Sequence, residues 1–163
     1  MIDAETRALS VRVLDACRAR KWTVATAESC TGGLVAGALT EIAGSSDVVD
    51  RGLVTYSNAA KVSLLGVLET TLERQGAVSR ETAEAMAQGA LARAGVDLTV
   101  AITGVAGPGG GSAEKPVGLV HFAAAAKDGR LIQREKRYGD IGRSEVRRLS
   151  VIEALKMMLE LAN

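Results

Sequence analysis

Three short uncharged runs, Trp22-Thr-Val-Ala-Thr-Ala27, Leu53-Val-Thr-Tyr56 and Leu98-Thr-Val-Ala-Ile102, are separated by stretches whose apolar residues recur at helical spacing. β-leaning runs alternating with helices restrict such a chain to an α/β architecture. Two further β-like runs, 117–125 and 131–138, are joined by Lys127-Asp-Gly-Arg130. Asp-Gly is a strong hairpin signal, so this pair is predicted antiparallel. Around the runs, Leu9, Val13, Leu14 and Cys17 form one stripe of a helix over 5–20, and Leu34, Val35, Ala38, Leu39 and Ile42 mark a helix over 32–43. Asn58 is the predicted cap of a helix through Leu65, Ser79 that of a helix over 80–94, and a last helix runs from about Ser144 to the C-terminus. The order predicts a three-layer α/β/α sandwich around a mixed sheet.

With 163 residues, 47% of them hydrophobic, the chain can bury the core of one domain. Only four residues, Trp22, Tyr56, Phe122 and Tyr138, are aromatic, so that core must be aliphatic and the interleaved aromatic and basic surface of a single-strand nucleic-acid binder is not expected. A net charge of +1 likewise argues against direct binding of nucleic acid or an anionic membrane. A local cluster such as Arg143, Arg147 and Arg148 is still suited to one phosphate. Two cysteines without metal-ligand spacing fit reduced thiols in a cytoplasmic protein, and the charged start of the chain gives no sign of an export signal or membrane span. Alanine-rich faces such as Ala83, Ala87 and Ala90 suit close packing, within the fold or across a homodimer or higher homo-oligomer.

Chemistry is expected where the first strand turns into the second helix. Ser29, Cys30 and Thr31 fall at that junction, near unpaired N–H groups and the positive end of a helix, which suit an anion or a developing oxyanion. Ser29 is a candidate nucleophile, although a serine before a helix is commonly just a cap. Cys30 is its rival, since a helix N-terminus lowers a thiol's pKa, but small buried cysteines usually only pack. The lone histidine, His121, lies in an alternating strand and is a weak candidate for a triad. Lys61 is the better base, because a desolvated lysine can lose its charge and accept a hydroxyl proton. Tyr56 could relay a proton or hold substrate. The loop Thr103-Gly-Val-Ala-Gly-Pro-Gly-Gly-Gly-Ser112 follows a buried strand and lets backbone N–H groups approach an anion, yet it matches neither a P-loop nor a dinucleotide fingerprint.

Three ordered segments, Ala27-Glu-Ser-Cys-Thr-Gly-Gly33, Gly52-Leu-Val-Thr-Tyr-Ser-Asn58 with Lys61, and Thr103 to Ser112 followed by Lys115-Pro-Val-Gly118, resemble the CinA C-terminal domain family. The resemblance runs from about Ala8 to Leu159. It implies a compact α/β/α domain that hydrolyses the carboxamide of nicotinamide mononucleotide, a small-molecule nucleotide, to nicotinate mononucleotide and ammonia in pyridine-nucleotide recycling. Carried over by motif, it casts Ser29 as nucleophile and Lys61 as base, with Tyr56 and Thr103 at supporting polar positions. In that reading N–H groups near Thr31, Gly32 and Gly33 stabilise the oxyanion, while Gly107, Gly109, Gly110 and Arg143 hold the phosphate, and no metal or cofactor is required. The family's Gly-Asp-Arg stands here as Gly139-Asp140-Ile141-Gly142-Arg143, with two residues intervening before the arginine. Many members carry a larger N-terminal domain linked to pyrophosphatase activity, for which this chain has no room. Other readings are a non-catalytic nucleotide-binding module or a protein-interaction module linked to competence.

Overall fold

The computed structural model describes residues 2–163. Its elements are α1 (Ala4–Ala19), β1 (Val24–Glu28), α2 (Leu34–Thr40), β2 (Val49–Val54), α3 (Asn58–Leu65), α4 (Glu69–Gln75), α5 (Arg80–Ala94), β3 (Leu98–Gly104), β4 (Leu119–Ala126), β5 (Leu131–Arg137) and α6 (Arg143–Ala162). The strands form one sheet in the order β2-β1-β3-β4-β5. β1 runs parallel to β2 and β3, while β3, β4 and β5 are successively antiparallel, so the expected mixed sheet and hairpin are both present.

Strand alternation divides the sheet's residues between two cores. Val24, Val100, Ile102, Val120 and Phe122 meet α1, α2 and α6 on one face. Ala27, Ala101, Ala123 and Ala125 meet α3, α4 and α5 on the other. That alanine-lined face lets α5 sit close, and the buried Ala83, Ala87 and Ala90 pack inward against it. Gly89 marks the tightest approach: a Cβ there would lie 1.9 Å from the Leu65 carbonyl oxygen at the end of α3.

Local chemistry moves several predicted boundaries. Gly32 and Gly33 adopt φ of 59° and 97°, so α2 starts only at Leu34. Ser57, rather than Asn58, caps α3, its Oγ accepting the Ala60 N–H at 3.0 Å. β2 ends two residues before Tyr56, and the short α4 occupies a stretch without a strong periodic signal.

The topology places a site. The connection from β1 to β2 uses α2 on one face, and the return from β2 to β3 uses α3, α4 and α5 on the other, as right-handed crossovers in opposite directions require. The switch point therefore lies between the carboxyl ends of β1 and β3, where α/β sheets leave a crevice. Ser29 follows β1 there, and the glycine-rich loop follows β3.

Candidate active site

A cavity of about 290 Å³ occupies this crevice, near the lower end for small-ligand sites. Ser29, Tyr56, Lys61, Thr103, Gly107 and Arg143 are among its lining residues, as are Gly109 and Gly110. Residues from four separate sequence segments thus converge on one space.

Ser29 is held as an extension of β1, its N–H donating to the Ile102 carbonyl at 2.9 Å. The first turn of α3 brings Lys61 beneath it. Lys61 is only 1% exposed, and its Nζ lies 3.0 Å from Ser29 Oγ, 2.8 Å from the Thr55 carbonyl oxygen and 3.3 Å from that of Tyr56. No carboxylate among the described residues forms an ion pair with it. Burial holds its amine below the usual lysine pKa, with the neighbouring Cys30 acting in the opposite sense. A neutral amine has two protons and one lone pair; with the protons on the two carbonyls, the lone pair is left for the Ser29 hydroxyl. The three partners satisfy either protonation state, and it is burial without a paired carboxylate that favours the neutral amine.

Thr103, the penultimate residue of β3, lies beside Ser29, its Oγ1 donating to the Ala77 carbonyl at 2.7 Å. Across the mouth, Arg143 donates to the Gly107 carbonyl at 2.9 Å and to the Tyr56 hydroxyl at 3.0 Å, joining the glycine loop to the segment after β2. The two residues intervening before Arg143 do not remove it from the cavity. The other two arginines of the expected cluster are engaged elsewhere. Arg147 donates to the carbonyls of Cys30 and Thr31, and Arg148 pairs with Glu145 and Asp3.

Thr31, Gly32 and Gly33, expected to face the substrate, are not among the residues lining the cavity. The Gly32 N–H donates to the Ser29 carbonyl, and that of Leu34 to Thr31. The first free donors of α2, Val35 and Ala36, point to the carboxylate of Glu28 at 2.9 and 3.0 Å. Glu28 is fully buried and also accepts from Thr26 Oγ1. Its part was missed because a glutamate ending a strand reads as a surface residue. The available signal was its position in a motif directly before two glycines and a helix.

Cys30 is buried and its thiol is pushed up to about 12, chiefly by desolvation, so it is a packing residue and not a poised thiolate. His121 pairs with Thr103 from β4, one strand further from Ser29, and lines a separate depression with Arg80, Glu84 and Glu135. Burial also keeps it below the usual histidine value. It takes no part in a triad with Ser29.

Fold and cavity together define an α/β/α sandwich protein with a serine and a buried lysine at the sheet's switch point. The CinA C-terminal domain family matches residues 6–162, and the chain belongs to that family. It is 51% identical over 160 residues to the nicotinamide-nucleotide amidohydrolase PncC of Enterobacter agglomerans, covering 98% of this chain and 96% of that protein. A CinA-like protein of Synechococcus sp. (strain RCC307) is 54% identical over 95% of this chain but only 37% of its own length. The crystal structure of the competence/damage inducible protein CihA from Agrobacterium tumefaciens superposes with a TM-score of 0.99 at 55% identity, covering 100% of this chain and 99% of that one.

Proposed function

We propose that this chain is a nicotinamide-nucleotide amidohydrolase of one domain, converting nicotinamide mononucleotide to nicotinate mononucleotide and ammonia through Ser29 and Lys61. The carrying observation is Lys61 Nζ at 3.0 Å from Ser29 Oγ, with its remaining partners both carbonyls. The names of full-length relatives at 51% identity supply the substrate.

Neutral Lys61 takes the Ser29 proton as Oγ bonds to the amide carbon. The Lys61 ammonium then protonates the departing nitrogen, the C–N bond breaks and ammonia leaves. Water gives a proton back to Lys61, its oxygen bonds to the acyl carbon, and the Ser29–acyl bond breaks with return of the proton to Oγ. Because the Val35 and Ala36 N–H groups of α2 are held by Glu28, oxyanion stabilisation is assigned to the Tyr56 hydroxyl, which lines the cavity. Tyr56 accepts from Arg143, so its own proton is free to donate. Arg143 and the N–H groups of Gly107, Gly109 and Gly110 hold the phosphate, turning remote binding energy into positioning of the reacting carbon.

Ammonia release from nicotinamide mononucleotide tests the reading. The wild-type protein turns over, and Ser29→Ala and Lys61→Met each lose roughly 10³-fold or more in kcat. Turnover in Ser29→Ala comparable to wild type overturns the assignment.

A further inference from the structure

We infer that Thr103 makes the site select a primary carboxamide over the corresponding carboxylate, by presenting an acceptor that cannot donate. The inference rests on the amidohydrolase reading and adds the discrimination between substrate and product.

A carbonyl oxygen has no proton, so in the 2.7 Å contact with Ala77 the single hydroxyl proton must come from Thr103. That proton is fixed, and the buried Oγ1 turns only lone pairs to the cavity it lines. Its acceptor stays in place because the segment before α5 is itself tied down. Ser79 and Thr82 both donate to the Gly76 carbonyl, and Lys115 donates to that of Gln75.

The register fixes what those lone pairs meet. Glu28 pairs with Ile102, so Ser29 and Thr103 are the next neighbours on adjacent strands, one strand spacing of about 4.8 Å apart. Both continue the alternation of Ala27 and Ala101 onto the same face. A carboxamide whose carbon sits against Ser29 Oγ can therefore turn its nitrogen toward Thr103. The amide N–H donates to Oγ1 and is satisfied. In the acid product an oxygen replaces that nitrogen and meets lone pairs with lone pairs. To relieve this, Thr103 must turn its proton away from Ala77 and leave that carbonyl without the partner it has. The same contact holds the substrate amide and expels the product carboxylate.

Binding by calorimetry on a Ser29→Ala background, where turnover is removed, tests this with nicotinamide mononucleotide and nicotinate mononucleotide as probes. Ser29→Ala binds the amide at least about tenfold more tightly than the acid, as a site built around an N–H donor should. Adding Thr103→Val, which keeps the shape and deletes the hydroxyl, brings the two dissociation constants within about threefold, chiefly by weakening the amide. Adding Thr103→Ser instead restores the preference. An undiminished preference in the valine variant overturns the inference, as does its loss in both variants; in either case amide turnover by the wild-type protein leaves the amidohydrolase reading standing. Binding of neither nucleotide, with no ammonia released by the wild type, overturns both.

Discussion

Lys61 makes a stability prediction that is independent of any assay of turnover. In the unfolded chain it titrates near the ordinary lysine value of 10.5, and burial lowers that value in the folded protein. Below the folded value both states hold the proton, and the folded state carries the full cost of a desolvated ammonium without a counter-ion. Between the folded value and 10.5 only the unfolded chain holds it, so stability rises with pH, at up to about 1.4 kcal/mol per pH unit for one proton. Above 10.5 both are neutral and the gain is complete. Lys61→Met removes this dependence. It also strips the carbonyls of Thr55 and Tyr56 of a donor, a cost of up to about 1–3 kcal/mol each that does not vary with pH. The quantity to read is therefore the slope of the difference in unfolding free energy. Urea unfolding of wild type and Lys61→Met from about pH 6 to about pH 10 is expected to show wild type gaining on the variant as pH rises. Ser29→Ala should keep the wild-type slope. The pH at which the gain sets in should coincide with the ascending limb of kcat/KM, because both report the same proton. A flat difference across that range would mean that Lys61 holds its proton equally in both states, refuting its role as the base.

Two further outcomes follow from the packing. Cys30→Ser retains most of its ammonia release, and the native Cys30 thiol resists alkylation by iodoacetamide at neutral pH while reacting once the chain is unfolded, since its pKa is about 12. Gly89→Ala would normally stabilise a helix by about 1 kcal/mol, but here it drives a methyl into the Leu65 carbonyl and should destabilise by about 2–3 kcal/mol, read from the urea midpoint.

The parts of this fold that were legible in the sequence are those decided by short-range physics. The period of the apolar residues located the strands and long helices, Asp-Gly located the hairpin, and Ser79 caps α5 as expected, its Oγ accepting the Thr82 N–H at 3.1 Å. Failures occurred where tertiary geometry overrides local pattern. Positive φ at Gly32 and Gly33 shortened α2, and α4 is ordered by burying Leu72 rather than by its own periodicity. The candidate site shows the same division. Ser29, Lys61, Tyr56 and Thr103 were found one by one from residue type and motif, but their convergence needs β1 and β3 side by side, which no single segment encodes. Of Arg143, Arg147 and Arg148, only the first lines the cavity: Arg147, one turn further along the same face of α6, is held by the Cys30 and Thr31 carbonyls, and Arg148, turned to another face, pairs with Glu145 and Asp3.

Glu28 shows why the junction holds more than a strand end meeting a helix. Its carboxylate sits on the face opposite to Ser29, because adjacent strand residues alternate. It therefore engages α2 from behind while the serine faces the cavity. Two charge-assisted bonds to the Val35 and Ala36 N–H groups fix the start of α2, and Arg147 fixes the carbonyls of Cys30 and Thr31 from α6. The turn carrying Ser29 is thus clamped between two buried or half-buried charges that never touch the cavity. The negative charge at the N-terminus of α2 opposes the helix dipole that a developing oxyanion would otherwise use. Rigid placement of the nucleophile and electrostatic help from the helix are alternatives here, since both draw on the same N–H groups. In the proposed mechanism the segment Glu-Ser-Cys-Thr-Gly-Gly serves the first, and oxyanion stabilisation falls to the Tyr56 hydroxyl elsewhere on the cavity wall.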